Sequence, residues 1–129
     1  MKLIIALLIA SIPACATADC WIVNDMKGVS YSARNDYKLE TDSFSGTFKI
    51  KIDADNSSVT YSGEDAGGVS YKPFSSTHLI GFGTDGNGGT MSESWSIQPN
   101  GVVIMSKIIS GYGQFDSTKA MTGKVSGKC

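Results

Sequence analysis

From Cys20 onwards, apolar and polar residues alternate along the chain. In Thr47-Phe48-Lys49-Ile50-Lys51-Ile52-Asp53, the residues Phe48, Ile50 and Ile52 share one face. In Ser58–Ser62, Val59 and Tyr61 do the same. A period of two is the mark of a half-buried strand. Met91–Gln98 alternates again, Asn100-Gly101 supplies a hairpin turn, and Val102–Ile109 returns. Asp55-Asn56 predicts a second hairpin, because Asx side chains favour turns. Further strands are expected at Cys20–Asn24, Val29–Ser32, Tyr37–Glu40, Val69–Lys72, His78–Phe82 and Ala120–Ser126. Beyond the N-terminal segment no stretch repeats every 3.6 residues, and Asp116–Ala120 has room for one helical turn. About eight to ten short strands with regular turn signals predict an all-β fold. A small antiparallel β-barrel built as a meander is expected, since closure removes exposed edges. A β-sandwich is the alternative.

Register then singles out a polar residue. Met91, Glu93, Trp95 and Ile97 share a face, and so do His78, Ile80 and Phe82. Pairing Phe82 with Met91 places Ile80 opposite Glu93 and His78 opposite Trp95. His78 and Glu93 become diagonal neighbours, about 7–8 Å apart at the backbone. Across the Asn100-Gly101 turn, Glu93 meets Ile108. Glu93 then points inward among aliphatic side chains, where a carboxylate needs a cation or donors. His78, Lys107 and the tyrosines are the candidates. The same register turns Val103, Met105 and Ile109 away from the core. Glu93 is thus either a polar feature of a ligand cavity or a structural hydrogen-bonding group near the barrel rim. The loop Ser110–Asp116 adds Tyr112 and Phe115 as candidate contacts for a partner, aromatic residues being enriched at binding hot spots. The alternative is that both cap the barrel end.

The N-terminus concerns address. Met1-Lys2 is followed by the apolar run Leu3–Ala10, by Pro13 and by Ala16-Thr17-Ala18. This order reads as a secretory signal helix over 1–18, cleaved after Ala18, leaving a single β domain over 19–129. The apolar run is shorter than the about 20 residues that span a bilayer, so no transmembrane segment is expected. The rival reading takes Ile12-Pro13-Ala14-Cys15, which resembles a bacterial lipoprotein signal and would anchor the chain in the outer membrane through Cys15. Either cut leaves Cys20 and Cys129. A periplasmic or secreted location is oxidising, so a Cys20–Cys129 disulfide is expected.

Composition narrows the chemistry. Lys plus Arg number 11 against 12 Asp plus Glu, with a single arginine, Arg34. That balance lacks the basic patch of a nucleic-acid binder. His78 is the only histidine. No Gly-x-Ser-x-Gly elbow and no metal-spaced His/Cys cluster occurs, so no catalytic residue, metal or cofactor is assigned. Asp53-Ala54-Asp55-Asn56-Ser57 resembles the start of a calcium loop, with Glu64 at the twelfth position. Ser58 stands where that loop needs glycine, however, and the flanks are strands. The loop Gly83–Thr90 lacks a following phosphate-binding lysine. Gly-Val-Ser-Tyr occurs at Gly28–Tyr31 and again at Gly68–Tyr71 with unmatched flanks, as chance allows.

Gly67-Gly68-Val69-Ser70-Tyr71 is similar to the Ser-Gly-x-x-Tyr motif of bacterial periplasmic lysozyme inhibitors, with glycine in place of serine. Lys27-Gly28-Val29-Ser30-Tyr31 departs at the same place. Each likeness spans five residues and assigns no family. The expected function is a non-enzymatic secreted or periplasmic binding protein for a protein or small ligand, with an inhibitor or immunity-type protein as one form. The alternatives are an envelope lipoprotein with a structural role and, last, a small hydrolase using Glu93 and His78.

Overall fold

The computed structural model describes residues 19–65 and 68–129. The signal segment, and with it both readings of Cys15, lies outside the described residues. Ten strands form one antiparallel sheet. They are β1 (Asp19–Ser32), β2 (Glu40–Phe44), β3 (Phe48–Ile52), β4 (Ser58–Tyr61), β5 (Glu64–Asp65), β6 (Ser70–Ser75), β7 (His78–Thr84), β8 (Thr90–Ile97), β9 (Val102–Ser110) and β10 (Ser117–Lys128). Their order is β5-β4-β3-β1-β10-β9-β8-β7-β6, with β2 also on β1. The sheet curls strongly into a half-barrel. Much of it is a meander, as expected, but the first and last strands pair at its centre. Among the described residues β5 and β6 end the main path, and β2 is a further edge, paired on one side only, with β1.

β1 organises this arrangement. One of its edges pairs with β10, while the other takes β3 and then β2. The two separate strands expected at Cys20–Asn24 and Val29–Ser32 are therefore one. Register shifts fall between Ile22 and Val23 and between Asn24 and Lys27, and Asp25 has φ 57°. Bulges of this kind bend a strand and raise its twist. Here they let a single strand serve both halves of the curl while Met26 stays buried. Two other expectations shift. Asp36 and Tyr37 have φ of 50° and 55°, so Tyr37–Glu40 is mostly turn and its strand begins at Glu40. The helical turn expected at Asp116–Ala120 lies earlier, at Gly113–Phe115, and Ser117 already starts β10.

Two connections set the faces. At Asn100-Gly101 only Gly101 has positive φ, at 82°. Its amide donates to the Gln98 carbonyl at 2.9 Å, and Gln98 N–H donates to Val102 at 2.8 Å. This is a turn closed by a glycine in the left-handed region, not a two-residue turn with both centres there. It pairs Glu93 with Lys107 instead of Ile108. Before β8, Gly83 pairs with Met91 and Phe82 with Ser92. In that loop the Asp85 carboxylate accepts the amides of Asn87 and Gly89 at 2.8 and 3.0 Å. A one-residue slip inverts every side chain, and both expectations that depended on these registers are corrected. Val103 and Met105 are core residues, at 0% and 3% exposure, and Ile109 shares their side of the strand. Ile104 and Ile108 are the outward residues, at 47% and 55%. His78, Ile80 and Phe82 lie on the convex face, while Leu79, Gly81 and Gly83 line the concave one.

The core fills one half of the concavity. Phe48, Ile50 and Ile52 of β3 and Val59 of β4 fold over Trp95, Met105 and Met121. The ring centroids of Phe48 and Trp95 are 5.3 Å apart, joining β3 to β8 across the hollow. At the covered end Cys20 and Cys129 form a disulfide with Cα atoms 5.2 Å apart, beside a backbone bond from Cys129 N–H to the Cys20 carbonyl. The bridge joins two residues 109 positions apart in the sequence. Chain entropy assigns the loop so closed about 4–5 kcal/mol. A Cys20→Ala/Cys129→Ala double variant should keep a β-type circular dichroism spectrum and lose about 3–5 kcal/mol in urea unfolding. An unchanged midpoint would show that the β1–β10 ladder alone holds the ends.

Candidate functional site

One row of paired residues crosses the concave face: Tyr71, Gly81, Glu93, Lys107, Lys119, Ser30 and Glu40, on seven successive strands. The adjacent row is apolar at its centre, with Leu79, Trp95, Met105 and Met121. The candidate site lies on the seam between them.

Glu93 is 5% exposed. Its Oε1 accepts the Trp95 Nε1–H at 2.9 Å and also the Tyr71 hydroxyl. Its Oε2 faces Lys107 Nζ at 3.1 Å. Three donors on three strands thus answer one buried carboxylate, as burial requires. Trp95 reaches it because residues two apart on a strand share a face. Lys107 reaches it as its direct cross-strand neighbour. Tyr71 stands two strands away, and Gly81 between them makes the contact possible. A Cβ on Gly81 would meet ring carbons of Tyr71 at 2.7 and 2.8 Å. Burial, and after it the neighbouring Glu93, pushes the Tyr71 phenol far above its ordinary value. Its hydroxyl therefore stays a donor.

Above this floor is a hollow of about 180 Å³. Phe44, Phe48, Tyr61, Trp95 and Met105 wall it, with Lys107 and Lys119 at the polar side and Glu64 and Asp65 at the rim. The rings of Phe44, Phe48 and Tyr61 contact one another with centroids 4.7–5.4 Å apart, mostly edge to face. Lys119 is paired with Asp42 at 2.8 Å and lies 5.5 Å from the Phe44 ring centre. A second hollow, of about 300 Å³, continues from Lys119 towards Arg34, Glu40 and Phe115.

The sequence-predicted residues separate. Glu93 points inward as expected, and Lys107 and a tyrosine answer it. His78 does not: it lies on the convex face, where its Nε2 meets Ser94 Oγ at 2.5 Å and its ring packs on Phe74. Tyr112 is half-buried against Gly89, with its amide donating to Asp116. Phe115 is 60% exposed and borders the second hollow, away from Glu93. The aspartates of the calcium-like stretch make an Asx turn, in which Asp53 Oδ1 accepts the Asp55 amide at 3.2 Å. Tyr71 was anticipated only as one of the tyrosines, and Lys119 and the wall of Phe44 and Tyr61 were not anticipated as site residues. The pointer to Tyr71 was the glycine inside β7, since a strand glycine marks a close approach by a neighbour.

No protein-family model, curated protein or solved structure matches this chain. Chemistry at the site must therefore be read from its own atoms. Three internal donors hold Glu93, and the group keeps the floor in shape. The two ends of its ion pair are unequal. Lys107 retains 15% side-chain exposure and Glu93 3%. Removing the cation strands a buried carboxylate, whereas removing the anion leaves an ammonium able to turn towards water. Lys107→Met should therefore cost about 3–5 kcal/mol in urea unfolding, and Glu93→Gln about 1–2 kcal/mol. Equal costs would contradict the burial asymmetry.

Proposed function

We propose that the chain is exported and acts as a non-enzymatic binding protein in the periplasm or outside the cell, with the concave face as its binding surface. The observation that carries this reading is the Glu93 cluster beneath an aromatic wall. Its donors are already in place, so a ligand group can enter without rearrangement of the floor, which lowers the cost of binding. An inhibitor or immunity-type role, with one group of a protein partner seated in the hollow, is the form that matches the small size and stapled ends. The lysozyme-inhibitor-like stretch gives this form little support, because its Tyr71 hydroxyl is committed to Glu93.

Export is supported by the apolar run, by the Ala-x-Ala site and by the paired cysteines, which suit an oxidising compartment. No helix among the described residues is long and apolar enough to cross a membrane. The lipoprotein alternative rests on the Cys15 motif. The hydrolase alternative loses its basis in proximity, since Glu93 and His78 occupy opposite faces of the sheet.

Two measurements test the proposal. Intact mass of protein from its native host should begin at Asp19 and rise by two hydrogens on reduction. A mass beginning at an acylated Cys15 would move the protein to a membrane surface. Nuclear magnetic resonance screening of residues 19–129 with mixed small-molecule fragments should shift the Trp95 indole and the amides around Lys107 and Lys119. Hits confined to the convex face would reject the concave face as the binding surface.

A further inference from the structure

Lys107 and Lys119 are directly opposed on neighbouring strands. Like charges in that position repel. Both side chains are largely withdrawn from solvent, at 15% and 21% exposure, so water screens them poorly. They are held from outside: Glu93 pairs with Lys107 at 3.1 Å and Asp42 with Lys119 at 2.8 Å. An ammonium has three N–H donors, and among the described residues each of these two has one carboxylate partner. Both lysines line the aromatic hollow.

We propose that this hollow binds a small organic carboxylate, its anionic group bridging Lys107 and Lys119 and its apolar part against Phe44, Phe48, Tyr61 and Trp95. The proposal rests on the concave-face reading above and names the ligand class for it. The size fits: the hollow measures about 180 Å³, and an apolar cavity of about 150 Å³ accommodates a benzene ring. A single ring or a chain of about six carbons is the matching apolar part. The acidic rim is the counterargument, since Glu64 and Asp65 would favour a cation. Those two side chains are exposed on a two-residue edge strand, where solvent screens them. The lysine pair lies deeper, at 15% and 21% exposure, and its charge is balanced by Glu93 and Asp42. The ammonium donors those two carboxylates leave over, and not a net charge of the floor, favour an anionic group.

The test compares three probes of matched size, hexanoate, hexylamine and hexanol, by calorimetry and by the Trp95 indole resonance. Hexanoate should bind most tightly, and its affinity alone should fall steeply with added salt. Lys119→Gln should weaken hexanoate about tenfold more than it weakens hexanol, the worth of one charge-assisted hydrogen bond. Lys119→Arg should restore hexanoate binding. Phe44→Ala should weaken hexanoate and hexanol alike. Tighter binding of hexylamine would overturn the carboxylate assignment while keeping the concave site. Failure of all three probes to move the Trp95 indole would overturn both.

Discussion

A buried carboxylate constrains this sheet more than any apolar contact does. Glu93 draws its donors from β6, β8 and β9, and only one register of those strands delivers all of them. Sliding β9 by one residue would put Ile108 opposite Glu93 and turn Lys107 to the convex side. The carboxylate would then stay buried with its charge unanswered, at a cost of several kcal/mol. Apolar packing discriminates less sharply. β9 carries aliphatic residues on both faces, so hydrophobic burial alone permits either setting. The ion pair chooses between them, and Val103 and Met105 enter the core as a consequence.

The same constraint explains β7. Its residues His78, Ile80 and Phe82 are more apolar as a set than Leu79, Gly81 and Gly83, and burial by hydrophobicity alone would turn them inward. The opposite happens because the concave side of β7 must be thin. The Tyr71 ring crosses over Gly81 to reach Glu93, and any side chain there would occupy its path. Phe82 remains 54% exposed as a result. Local hydrophobicity gives way to a hydrogen bond on the next strand but one, as happens where leaving a buried polar group unpaired costs more than exposing a ring.

This marks the boundary of what the sequence discloses. Strand positions were legible because alternation belongs to each strand by itself: Phe48–Ile52, Ser58–Tyr61, Thr90–Ile97 and Val102–Ser110 fall close to where the pattern puts them. The inward direction of Glu93 was legible for the same reason, since Trp95 and Ile97 share its face. Relations between strands were not. Each depends on the residue count of a turn, and turns admit an extra residue when a glycine such as Gly101 takes positive φ or a carboxylate such as Asp85 collects loop amides. His78 was placed beside Glu93 by a count one residue short. Likewise β1 looked like two strands, because the bulge at Asp25 interrupts the alternation without ending the ladder.

Division of labour along the sheet follows from these registers. At the disulfide end, β3 and β4 cover the concave face and make a core. Towards the loop end the cover stops, and the next row of inward residues is the polar one. Lys119 stands where the covered and open parts meet and borders both hollows, with Phe44 on one side and Phe115 on the other. Its ion pair with Asp42 ties β10 to β2, across β1, which lies between them. The cation is thus held by the outermost strand of that side, not by its immediate neighbour Ser30. β2 belongs to the short ladder on β1 and has no other strand beyond it. Movement of β2 would therefore shift the Lys119 charge and the Phe44 ring together, so the polar and apolar halves of the hollow share one support.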